Sequence, residues 1–132
     1  MKVKELLTIL KVLMNADKGD YFIEYSLKDS SYYRHSCSTI TDTIRNFKYC
    51  EYDKMVILSN DAENVTYLRT LYDALSSPDV DKDSDVVFGH YVSTGKSSKT
   101  LITADEYDLA LSSTDSDYST IKFDIKYRYL NI

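Results

Sequence analysis

The sequence predicts an α+β fold, an antiparallel or mixed sheet of about five strands with two main helices packed on one face. Three observations carry that expectation. Apolar residues recur at three- and four-residue steps in two segments, 3–15 and 62–76. Residues 119–130 alternate instead, with Ile121, Phe123, Ile125, Tyr127 and Tyr129 interleaved by Lys122, Asp124, Lys126 and Arg128. The elements also follow in the order α-β-(α)-β-α-β-β-(α)-β, which is not a chain of βαβ units.

The first helix, 3–15, has a stripe of Val3, Leu6, Leu7, Leu10, Leu13 and Met14, and Gly19 is a plausible stop. Residues 21–27 alternate as a strand through Tyr21, Ile23, Tyr25 and Leu27. Lys28 to Cys37 reads as a polar, Tyr-rich turn or hairpin return. Ser38 or Thr39 then caps a short helix carrying Ile40, Ile44 and Phe47 on one side, although the Ser/Thr content of the segment also suits a strand. Met55-Val56-Ile57-Leu58 is a buried strand. The second helix, 62–76, presents Val65, Leu68, Leu71, Tyr72 and Leu75, and Pro78 lies beyond its end. Val86–Val92 and 98–103 read as strands around a turn at 93–97. Ala104–Leu111 reads as a short helix, and 112–117 as a polar loop. The last strand has one apolar and one charged side, which suits an antiparallel sheet covered by helices on one face only.

The 132 residues suit one domain, 1–132, with no internal repeat and no dividing linker. Hydrophobic residues make up 43%, enough for a core. The net charge of -5 opposes direct contact with nucleic acid or anionic lipid and favours basic partners or cations. The apolar opening is broken by Lys2, Lys4, Glu5, Thr8 and Lys11, so no signal peptide is expected, and no run is long enough to cross a membrane. Cys37 and Cys50 fit a reduced, cytoplasmic protein better than a disulfide scaffold. There are 13 Tyr and no Trp, and Tyr suits both core edges and wet interfaces.

Motifs for chemistry fail on inspection. In "PDVDKDSD", Asp79, Asp81, Asp83 and Asp85 match alternate ligands of a calcium loop. The turn glycine is replaced by Ser84, and the bidentate glutamate by His90. "GKSSKT" from Gly95 lacks the glycine a phosphate loop needs and leads into a strand, so it reads as a hairpin turn. His35 and Cys37 lie in a polar Tyr-rich stretch without a nucleophile turn. Cys37 and Cys50 have no zinc spacing. The sequence thus predicts no catalytic set, no metal centre and no cofactor.

The charge is concentrated. Nine acids and three lysines between Asp79 and Asp117 give that segment -6, leaving the remainder near +1. The acids form three clusters: 79–85; Asp105, Glu106 and Asp108; and Asp115 with Asp117. Carboxylates spaced on a rigid surface can imitate nucleic-acid phosphates and occupy a basic channel. Tyr91, Tyr107 and Tyr118 lie near them in sequence. The competing reading is plain solubility.

The opening "MKVKELLTILKVL", the small acidic chain without a catalytic signature and the early Tyr-rich strand resemble small accessory proteins of phages and mobile elements, in the style of anti-CRISPR and other anti-defence inhibitors. The resemblance implies a non-enzymatic inhibitor that occludes a basic nucleic-acid-binding surface on a host defence nuclease, in the bacterial cytoplasm. The residues expected at that contact are Asp79, Asp81, Asp83, Asp85, Asp105, Glu106 and Asp108, with Tyr107 as anchor. The alternatives are a divalent-cation or small-ligand binding module, and an oligomeric phage structural or assembly protein.

Overall fold

The computed structural model describes residues 1–29, 39–95, 97–115, 119–127 and 129–131. Residues 30–38, with His35 and Cys37, lie outside that set, as do Lys96, Asp117 and Tyr118. The fold is α+β, with two helices and eight strands among the described residues. In chain order these are α1 (Val3–Asn15), β1 (Phe22–Asp29), β2 (Ile40–Thr43), β3 (Asn46–Cys50), β4 (Met55–Ser59), α2 (Leu68–Ser76), β5 (Asp85–Ser93), β6 (Lys99–Ala104), β7 (Tyr107–Asp115) and β8 (Thr120–Tyr127).

The expected single sheet of about five strands is corrected to two sheets of four, ordered β2-β1-β8-β7 and β3-β4-β5-β6. Both are mixed. The central pair of each, β1 with β8 and β4 with β5, is parallel, and the flanking pairs are antiparallel. Two expected helices are strands. Ile40, Ile44 and Phe47 share a helical spacing but belong to β2, a corner and β3. Leu109 and Leu111 belong to β7, where they oppose Ile125 and Phe123. The second helix begins at Leu68 rather than residue 62, because Tyr67 is held as a bridge to Phe22.

The sheets face each other across one core. Among the described residues, Tyr25, Phe88 and Phe123 are its largest fully buried side chains. Strand β5 crosses the facing sheet instead of following its strands. Val86 meets Tyr107 of β7, Phe88 meets Phe123 of β8 and Tyr25 of β1, and His90 meets Tyr25 and approaches Asp42 of β2. That is the orthogonal kind of sandwich, in which strands turn corners between sheets. One corner is Ile44-Arg45: Ile44 donates its N–H to Ile23 of one sheet and Arg45 to Ser59 of the other, each at 2.8 Å. The β6–β7 turn makes the second passage between the sheets.

The helices extend the same core with Val3, Leu6 and Leu10 of α1 and Leu68, Leu71 and Leu75 of α2, rather than covering one face of a single sheet. They run antiparallel, and each N-terminus is satisfied by chain that follows the other's C-terminus. Val3 and Lys4 donate to the carbonyls of Ser84 and Lys82 at 2.9 and 3.0 Å. Leu68 and Arg69 donate to those of Tyr21 and Gly19 at 2.9 and 2.8 Å. These are first-turn N–H groups without partners inside their own helix. A Cβ on Gly19 would lie 2.7 Å from the Arg69 guanidinium, the far end of an exposed side chain that can shift away.

Candidate functional site

The acidic loop after α2 is an ordered connector. Its main chain caps α1, as above, and Val80 anchors it in the core. Lys82 folds back so that its ammonium donates to the carbonyls of Ser77 and Val80, placing positive charge at the negative end of α2. Asp81 accepts the Asp83 N–H at 2.9 Å, and Tyr49 Oη receives the Asp81 N–H at 3.2 Å. The side chains of Asp79, Asp81, Asp83 and Asp85 remain exposed around this frame.

Two of these carboxylates have cations. Lys2 Nζ lies 2.8 Å from Asp85 Oδ1, and Lys4 Nζ lies 2.8 Å from Asp83 Oδ1. The hydrogen bond from Lys4, then its charge, holds the Asp83 carboxyl below the usual carboxylate range. The same bond raises Lys4, and the bond to Asp85 raises Lys2. The carboxylates also sit at the positive end of the α1 dipole. Neither lysine was legible as a partner in the sequence, since the pairs join residues 83 and 79 positions apart.

Asp105 and Glu106 form the β6–β7 turn, and both are exposed. Tyr107, next in sequence, donates its hydroxyl to the Val86 carbonyl at 2.7 Å, and Val86 directly follows Asp85. The Tyr107 ring stands edge-on to Phe88 with centroids 5.2 Å apart. Burial, then the charges of Asp85 and Glu5, pushes the Tyr107 hydroxyl above its usual range. Tyr107 therefore turns inward and holds the corner, while the acids on either side face solvent. Glu5 is a further acid at this end that sequence reasoning missed. Its carboxylate accepts the Lys2 N–H at 3.2 Å, the reach-back half of a capping box.

Asp108 is placed elsewhere. It pairs with Lys126 on the side of β7 opposite to Tyr107 and Leu109. Its neighbours there are the charges of the outer face, where Lys28 lies 3.2 Å from Asp124 and Lys122 lies 3.9 Å from Glu24. Asp117 and the side chain of Asp115 lie outside the described residues. Tyr107 thus ties the β6–β7 turn, which carries Asp105 and Glu106, to the start of β5 next to Asp85, while Asp108 lies on the opposite side of β7.

A second polar group lies between the sheets at the β2 end. Tyr25 Oη donates to the Gly89 carbonyl at 3.0 Å and lies 3.2 Å from His90 Nδ1. Asp42 Oδ2 is 3.8 Å from that nitrogen and accepts from Asn60 Nδ2 at 2.9 Å, while Asn60 Oδ1 accepts the Tyr91 N–H at 2.8 Å. Burial, then the Asp42 charge, pushes the Tyr25 hydroxyl up. Such a network satisfies polar groups where β1, β2 and β5 meet, and fixes how the sheets cross.

Among the described residues, no three His, Cys, Asp or Glu side chains are grouped so as to hold a metal ion. None of the described helices is long and apolar enough to cross a membrane. Comparison with protein-family models, with curated proteins and with solved structures found no match.

Proposed function

We propose that this chain is a non-enzymatic inhibitor of the phage type, which binds a host defence nuclease in the bacterial cytoplasm. Its acidic end occludes a basic surface that would otherwise hold nucleic acid. The observation that supports this reading is the bond from Tyr107 to Val86. It ties the residue after Glu106 to the residue after Asp85, across the gap between the sheets. Asp79, Asp81, Asp83, Asp85, Asp105 and Glu106 all have exposed carboxylates, those of Asp83 and Asp85 held by their lysines. A partner's arginines compete with Lys2 and Lys4 for those two carboxylates, with planar guanidinium forks better matched to carboxylate than an ammonium is. Tyr107 serves as a positioning residue, and Asp108 lies outside the contact.

Affinity capture from a host lysate at two salt concentrations tests the proposal. The expected catch is a nucleic-acid-binding nuclease component, retained at low salt and released at high salt, because exposed charges are screened beyond about 10 Å at 0.1 M. Capture that is insensitive to salt, or that survives replacement of Asp79, Asp105 and Glu106 by lysine, contradicts it.

A further inference from the structure

The four sheet edges differ in how they discourage another strand. Strand β2 has only four residues, and β3 and β6 carry Lys48 and Lys99. Short or lysine-bearing edges resist pairing with another chain. Strand β7 is neither short nor lysine-bearing, and its two acids, Asp108 and Asp115, lie towards its ends. It runs for nine residues, YDLALSSTD, without Lys, Arg or Pro. Residues 107–112 pair with β8 in unbroken register, and the irregularity falls only after Ser112. Among the described residues, β8 is the one strand bonded to it.

The apolar side of this edge is also incompletely covered. Leu111 opposes Phe123 and points to the same side of the sheet. Phe123 is 0% exposed, whereas Leu111 is 46% exposed. Leu109, opposite the fully buried Ile125, is half-buried. The Tyr107 bond ties the start of β7 to the other sheet, and cover is lost along the strand beyond it.

We propose that β7 is a pairing edge for a second copy of this chain, antiparallel and centred on Ala110. The strand is self-complementary about that residue. Leu109 falls opposite Leu111 of the second copy, Ala110 opposite Ala110, and Asp108 opposite Ser112, so within residues 108–112 no acid faces an acid. Residues 108–112, used symmetrically, all lie within the regular register. The product is one continuous sheet through both copies, with two exposed leucines covered. The two copies each carry -5, so salt strengthens this contact by screening repulsion. Salt weakens the acidic-end contact, which makes the two proposals separable.

Sedimentation equilibrium of the full chain at rising salt is the test, with Leu111→Lys and Ala110→Lys as variants. The expected result is a dimer that grows with protein and salt concentration and is lost in both variants, with their circular dichroism unchanged. An Ala110→Cys variant in a Cys37→Ser, Cys50→Ser background is expected to form a disulfide-linked dimer on oxidation. Val12→Cys, on exposed α1 surface, is expected to do so far less. A wild-type monomer at every concentration and salt, or a dimer that keeps its mass in Ala110→Lys, overturns the proposal.

Discussion

Tyr107 on β7 donates its hydroxyl to the main-chain carbonyl of Val86 on β5, 2.7 Å away across the gap between the sheets. Val86 is fully buried, so this carbonyl depends on protein partners. Tyr107→Phe keeps the ring against Phe88 and removes only the hydroxyl. The expected loss is about 1–3 kcal/mol, the usual cost of leaving a buried polar group unsatisfied. Urea unfolding measures it, and a wild-type midpoint would mean that the bond does not hold the corner.

Phe88 is where the crossing sheets meet. Its ring lies 6.4 Å from Phe123, 6.3 Å from Tyr25 and 5.2 Å from Tyr107, centroid to centroid. Phe88→Ala is expected to cost about 3–5 kcal/mol, the range for removing a buried aromatic ring. A loss below about 1 kcal/mol in the same unfolding experiment would place the core elsewhere.

Gly89 leaves room on the other side of β5. A Cβ there would sit 2.9 Å from Leu101 Cδ1 and 3.1 Å from Ile57 Cγ2. Gly89→Ala therefore has to displace the Leu101 side chain, an overpacking cost of about 1–3 kcal/mol. Gly89→Ala combined with Leu101→Ala is expected to recover part of that loss. Strictly additive losses would show that the two positions do not touch.

The pair of Lys4 and Asp83 has a defined pH dependence. The Asp83 carboxyl is lowered, so the folded state binds fewer protons at acid pH than the unfolded state. Its contribution is complete above the ordinary carboxylate value of about 3.9 and is lost as pH falls through the lowered folded value. Lys4 is raised, so its contribution is complete below about 10.4 and is lost as pH rises through the raised value. Both groups are exposed, and the effect on stability is small. Carboxyl NMR shows it more directly. Asp83 is expected to titrate higher in Lys4→Met, and an unmoved titration would mean that the pair does not form in solution.

The helices and strands with clean periodicity were legible in the sequence. α1 and β4 fall within about a residue of expectation, and β8 keeps the alternation of Ile121, Phe123, Ile125 and Tyr127. The misreadings have a common cause. Ile40, Ile44 and Phe47 follow a helical period, but a corner at Ile44-Arg45 separates two strands and breaks the count. Leu109 and Leu111 alternate for too few residues to outweigh the acidic start of their segment. Parallel pairing of β1 with β8 joins Phe22 to Thr120, and nothing local encodes so distant a neighbour. The site was legible in part for the same reason. The acids could be counted from the chain, but the lysines that pair with Asp83 and Asp85 belong to the start of the chain, 79 and 83 positions away.

The most direct test of the central claim is a titration of the captured nuclease's cleavage activity with purified chain. Wild-type chain is expected to inhibit at one-to-one stoichiometry at low salt and to lose potency steeply as salt rises. The triple variant Asp79→Lys, Asp105→Lys, Glu106→Lys, with unchanged thermal unfolding, is expected to lose inhibition at every salt concentration. Inhibition by that variant at the wild-type concentration would contradict an acidic-end contact.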